Sequence, residues 1–179
     1  QKGLGTDNES WAGGSAAINI EFIRYADVLL WSAEVEVEVG DLEVARARVN
    51  EVRSRAEKSE CFVKAVDGEG NPTSSPAANY VIAQYATPWT DKEYALKAVK
   101  FERRLELAME GHRFFDLVRW GEADVVLNRY LELETPKRQL ALKDAAFIKG
   151  KHEYLPIPES EIINSSKGGL ATLMQNPGY

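Results

Sequence analysis

Residues 19–56 read NIEFIRYADVLLWSAEVEVEVGDLEVARARVNEVRSRA, and this stretch decides the fold class. Apolar Ile23, Ala26, Leu30, Ala33 and Val37 recur at alternating spacings of three and four, the period of one helical face. Val28, Trp31, Val35 and Val39 add a second stripe beside the first, so this helix is expected to be buried over most of its girth. Its tail, Glu34-Val35-Glu36-Val37-Glu38-Val39, alternates strictly, as a half-exposed strand would. The residues that follow decide for a helix: Gly40 suits the left-handed position that ends one helix, and Asp41 suits the cap that starts another. From Leu42 the stripe Leu42, Ala45, Val49, Val52, Ala56 resumes the rhythm, with Arg46, Arg48, Arg53 and Arg55 around the outside. Two helices joined by Gly40-Asp41 make a tight antiparallel hairpin.

Such a hairpin over residues 19–57 has the size of one tetratricopeptide-like unit, and no second copy recurs at that period. Residues 1–18, with four glycines, form an irregular lead-in. Residues 58–89 lose all periodicity and are expected to be one long loop, too long for an ordinary connection. Thr90-Asp91-Lys92-Glu93 then matches a capping box, which announces a helix. The stripe Ala98, Phe101, Leu105, Ala108, His112, Phe115, Val118 predicts that this helix runs to Trp120, with a bend or close packing at Gly111. A further helix over 122–133 ends before Pro136, and residues 135–179 read as extended and turn-rich. The expected fold is therefore all-α: helix hairpins, long irregular loops and an extended C-terminal segment.

Composition excludes several functions. The 179 residues carry 22 Lys and Arg against 28 Asp and Glu, a net charge of −6, and no segment has the basic stripe that a nucleic acid requires. Cys61 is the one cysteine, which removes internal disulfides and any multi-cysteine zinc site. The longest uncharged run, residues 70–90, contains Pro72, Pro76 and Pro88 and makes no spanning helix. The chain opens on Gln1 without a basic or apolar leader, so a missing N-terminal part is expected.

Candidate chemistry is sparse. His112 and Asp116, four apart, have a spacing that suits two metal ligands, but His112 falls on the apolar stripe and reads as a core histidine oriented by Asp116. His152-Glu153 fails the zinc-protease pattern, because Pro156 stands where the second histidine belongs. Asp67-Gly68-Glu69-Gly70-Asn71 starts like a calcium loop, but Pro72 and Ala78 occupy its glycine and glutamate positions, which leaves a plain turn. The cluster Glu102-Arg103-Arg104-Leu105-Glu106, continued by Glu110, Arg113, Asp116 and Arg119, reads as an ion-pair ladder holding helices together. No catalytic residue, metal ligand or cofactor motif is assigned, and no nucleophile elbow is present.

The aromatics divide in two. Trp31 and Trp120 lie on helical stripes and are expected in the core. Trp11, Tyr80, Tyr85 and Trp89 lie in irregular segments and are the candidate ligand-binding residues, since flat rings on a loop cover the apolar faces of sugars and other amphipathic ligands. The competing use of the same rings is to pin a long loop to the body.

Three stretches also carry a family resemblance. NIEFIRYADVLL at 19–30, with Ala33-Glu34, Gly40-Asp41 and VNEVRSRA at 49–56, resembles the SusD/RagB family of outer-membrane nutrient-binding lipoproteins. So do ERRLELAMEGHRFFDLVRWG at 102–121 and, at the end, YLPIPESEI at 154–162 with QNPGY at 175–179. The resemblance implies a SusD-like all-helical fold on tetratricopeptide-like pairs and no catalysis. It implies capture of oligosaccharides, or of peptides in some members, and delivery to a SusC-like TonB-dependent transporter. It also implies surface exposure on the outer membrane of a Bacteroidetes-type bacterium, through an N-terminal lipid anchor that this chain lacks. Only the C-terminal third of such proteins is resembled, Cys61 is internal and not the lipidated residue, and the matched motifs are scaffold rather than ligand motifs. A helical protein-interaction scaffold without a glycan ligand is the alternative.

Overall fold

Helix α1 (Tyr25–Val39) carries the Glu-Val alternation to its last residue, so the helical period prevails there over the strand pattern. The computed structural model describes residues 22–179, which divide between Glu110 and Gly111 into two units, each taken by itself below. Trp11 and the lead-in lie outside the described residues.

In the first unit α1 packs antiparallel on α2 (Leu42–Ala56), as the hairpin pattern predicts. Asp41 caps α2, its side chain accepting from Glu43 N at 2.7 Å. Gly40 differs from expectation: its φ of −123° is not left-handed. Its role is room, because the Glu36 side chain folds back over it to accept from Asp41 N at 3.0 Å, and a Cβ at residue 40 would collide with that carboxylate. A third helix, α3 (Lys92–Glu106), completes the layer against both. Its cap is Asp91, which accepts from the amides of Glu93 and Tyr94, rather than the Thr90 of the capping-box reading.

The core of this unit is the set Leu29, Leu30, Ala33, Val37, Ala45, Val49, Val52, Trp89, Ala95, Ala98 and Val99. Only one side of α1 is buried. Val28, Trp31, Val35 and Val39 stay exposed, so the second stripe does not make α1 a fully buried helix, and Trp31 is not a core residue. On α3 the period is right but the face is not. Phe101 and Leu105 are half exposed, whereas Glu102 and Arg103 are buried with Ala95, Ala98 and Val99. Charged residues can occupy a core face when each finds an opposite charge there, and both do.

Arg103 Nη1 donates to Asp27 Oδ1 on α1 at 2.7 Å, and Arg53 Nη1 of α2 donates to Glu102 Oε2 at 2.6 Å. Arg24 donates to Glu110 at 2.7 and 2.8 Å and also reaches Glu106, which Arg55 engages from α2. The Asp27–Arg103 pair joins α1 to α3 and the Arg53–Glu102 pair joins α2 to α3, in keeping with an ion-pair ladder holding helices together. Burial holds the Glu102 carboxyl above its usual range, with Arg53 opposing the rise. The Glu110 hydrogen bonds hold Arg24 above the usual guanidinium value.

The long loop contains structure that periodicity did not reveal. After a turn of 3₁₀ helix at Ser59–Cys61, strands β1 (Lys64–Val66) and β2 (Pro72–Pro76) pair antiparallel. The turn between them is the Asp67–Asn71 segment: Asp67 Oδ1 accepts from Glu69 N at 3.0 Å and Asn71 N at 2.9 Å. Those amide donors, Asn71 first, hold the Asp67 carboxyl below its usual range.

Helix α3 does not run on to Trp120. It ends at Glu106, and Met109 and Gly111 both take positive φ (67° and 84°), a conformation that no helix interior tolerates. Helix α4 (His112–Arg119) starts afresh in the second unit, followed by α5 (Ala123–Glu134). Asp116 and Leu117 are buried, while His112 is only half-buried and Phe115 is exposed. Trp120 is likewise half-buried, lying against the Arg119 and Arg113 guanidinium groups at 4.9 and 5.8 Å from its ring centre. The C-terminal segment adds two short helices, α6 (Gln139–Leu142) and α7 (Glu159–Asn164), to the expected turns. Side chains substitute there for a sheet ladder: Asn128 clamps both backbone groups of Phe147, and Gln175 clamps both of Ile157. His152 serves a turn, its Nδ1 accepting from Ile148 N at 2.9 Å.

Candidate functional site

The polar edge of α2 positions the end of the long loop. Glu43, Arg46, Asn50, Arg53 and Glu57 recur at spacings of three and four, so their side chains form one row on the helix. Each of the five grips the segment 83–89. Glu43 accepts from Trp89 N at 2.6 Å, and Arg46 donates to Tyr85 O at 2.6 Å. Asn50 both accepts from Tyr85 N (2.7 Å) and donates to Tyr85 O (3.0 Å). Arg53 donates to Ala83 O at 2.6 Å, and Glu57 accepts from Gln84 at 3.0 Å. The segment adopts neither helix nor strand, and side chains stand in for a partner strand at its backbone groups.

That row positions two of the candidate aromatics. Trp89 is 4% exposed, a member of the core, with Tyr85 edge-on at 5.2 Å and Tyr94 at 6.2 Å. Its expected surface position is corrected: the ring offers no face to a ligand. Tyr85 is half-buried against the same core, with the Arg53 guanidinium 5.0 Å above its ring, and burial raises its hydroxyl pKa. Both rings pin the loop. The Arg46 guanidinium, then the Trp89 amide, hold the Glu43 carboxyl below the usual range. Its anionic form, and with it this tie, is present above the ordinary glutamate pKa and is lost as pH falls through the lowered value.

Tyr80 is placed elsewhere. It stacks on Phe62, ring centres 4.5 Å apart and planes 15° from parallel, on the wall of an open cavity of about 820 Å³. Arg55, Glu60, Cys61 and Ile82 share that wall. A smaller cavity of about 370 Å³ lies among Arg24, Tyr25, Leu29, Val52 and Arg55, where Glu106 engages both arginines. The structure thus separates Tyr80 from the Tyr85–Trp89 pair, and sequence reasoning passed over Phe62. Its signal was available in composition only, as one more ring in an aperiodic stretch. Among the described residues no group of three or more His, Cys, Asp or Glu is arranged to hold a metal ion, and no helix is long and apolar enough to cross a membrane.

A family model and two relatives match this sequence. The SusD family model matches residues 1–179. SusD-like protein P25 of Formosa agariphila is 32% identical over 142 residues, covering 78% of this chain and 21% of that protein. SusD-like protein P38 of the same organism is 32% identical over 109 residues, covering 61% of this chain and 18% of its own length. The match spans about a fifth of the length of each of these two relatives. With the helix hairpin, the α3 ion pairs and the turn-rich C-terminal segment all falling within that match, the chain belongs to the SusD family.

Proposed function

We propose that the protein captures oligosaccharide at the cell surface without cleaving it and delivers it to a SusC-like TonB-dependent transporter in the outer membrane. The observation that carries this reading is the family match over all 179 residues. An open cavity walled by two stacked rings supports it, because rings of this kind are how proteins cover the apolar faces of sugars. In this reading a lipid anchor on the N-terminal side of these residues holds the protein at the outer-membrane surface. The helix layer is the rigid body that presents the loop, and no step of the function requires a catalytic group.

The test uses the protein expressed from its whole gene. It is screened on a glycan array and, separately, recovered by affinity tag from detergent-extracted outer membranes. Binding to a defined oligosaccharide class, with a large β-barrel transporter in the recovered complex, is the expected outcome. A transporter recovered from a protein that binds no glycan on any array favours the alternative, a helical interaction scaffold or a peptide-binding member. Recovery of neither removes both.

A further inference from the structure

Helix α1 carries an apolar face that the described residues leave open. Its Leu30, Ala33 and Val37 side packs on α2 and α3. On the other side Val28 (45%), Trp31 (39%), Val35 (58%) and Val39 (84%) stay exposed. The four lie three, four and four apart, so they form one straight stripe about 16 Å long. Ser32, small and in the same row, lets a neighbour approach closely. The acids at the end of the helix are already engaged, Glu36 accepting from Asp41 N and Glu38 pairing with Lys92. Single exposed valines need no explanation, but a continuous stripe along most of a helix does.

A narrow, straight row of side chains with grooves beside it fits the side of another helix. Size decides where that helix comes from. Four side chains offer well under the roughly 800 Å² per partner that a stable association of separate molecules buries. A separate molecule must also offset its lost freedom of movement, whereas a segment of the same polypeptide is already held near by the chain. In both matched relatives about four fifths of the polypeptide lies outside the match. Within these 179 residues, 1–18 have no helical period, and the described helices α2 to α7 leave the stripe open. We infer that the Val28–Trp31–Val35–Val39 stripe seats an amphipathic helix from the part of the whole polypeptide outside these 179 residues. That helix lies along α1 with its aliphatic side chains between Val28 and Val39, and gives the α1–α3 layer a second layer. It also closes over Trp31, whose ring lies 5.7 Å from the Arg103 guanidinium of the buried Asp27–Arg103 pair.

The test uses the protein from its whole gene, purified alone, with Val35→Cys as the probe. Alkylation by N-ethylmaleimide is timed by peptide mass spectrometry in native buffer and in urea, each rate normalised to free cysteine. The expected native rate at residue 35 is at least about tenfold below its rate in urea, and unchanged on strong dilution of the protein. Benzoylphenylalanine in place of Val39 is then photolysed, and the expected cross-link joins it to a peptide of the same chain outside the 179 residues. Val35→Asp should lower the thermal midpoint by several degrees more than Ala47→Asp, which puts the same charge on an exposed position of α2. If Val35→Asp fails to fold while Ala47→Asp folds, the stripe is buried in the whole protein, and the alkylation and cross-link identify what buries it. A residue 35 that reacts as fast in native buffer as in urea overturns the inference. So does protection lost on dilution, which means a second copy, or protection seen only in membrane extracts, which means a separate partner. A cross-link to a peptide within the 179 residues overturns it as well.

Discussion

Asp27→Ala is expected to lower the unfolding free energy by about 3–5 kcal/mol, the cost of removing one member of a buried charge pair. Asp27 pairs with Arg103, and the two side chains are 0% and 1% exposed, with the guanidinium donating to the carboxylate at 2.7 Å. Arg103 also faces the Trp31 ring at 5.7 Å, so Arg103→Ala should lose packing on α1 as well as charge. Urea unfolding of both single variants checks the direction. The double variant Asp27→Leu with Arg103→Met separates pairing from mere burial, because replacing both ions by apolar groups of similar size is often neutral or stabilising. A single-variant loss below about 1 kcal/mol would mean that water reaches the pair and that its geometry does not hold the helices together.

Trp89→Ala carries the second large effect, about 3–5 kcal/mol of stability, typical of removing a buried tryptophan from a packed core. Its ring is 4% exposed and in contact with Tyr85 and Tyr94, and its backbone amide is tied to Glu43. The loop end from Ala83 to Trp89 should loosen with it. Ligand affinity, measured on the folded fraction, should change little. Thermal unfolding combined with titration of a bound sugar separates the two quantities. A Trp89→Ala variant of unchanged stability and reduced affinity would return Trp89 to the ligand site.

Much of this fold was legible in the sequence because its decisive contacts are local. The α2 stripe of Ala45, Val49 and Val52 is buried as its spacing indicates, and Gly40-Asp41 marks the turn between the first two helices. The exposed stripe of α1 was misjudged, since the apolar girth of a helix says how much it can bury and not what is available to cover it. On α3, Phe101 and Leu105 looked like the inner face because they are apolar. The choice was made instead by partners distant in sequence, Asp27 and Arg53, which give Arg103 and Glu102 somewhere to bury their charge. The break before α4 rests on positive φ at Met109, a residue whose type gives no warning of it.

The candidate site was legible in a different way. The row Glu43, Arg46, Asn50, Arg53, Glu57 has helical spacing as clear as any apolar stripe, but polar residues at that period read first as a solvated face. Only the structure shows that the face is occupied, by the loop end that carries Tyr85 and Trp89. The loop was singled out by its aromatics. Their division into pinning rings and a cavity-facing ring follows from where the α2 row stops. Tyr80 lies just before the gripped segment and stays with Phe62 on the open cavity.

Capture without cleavage is checked by calorimetric titration of the protein from its whole gene with a neutral oligosaccharide, followed by chromatography of the recovered sugar. Saturable binding and a ligand recovered at its original length are the expected results. No binding heat with any oligosaccharide, or recovery of shortened products, would contradict it.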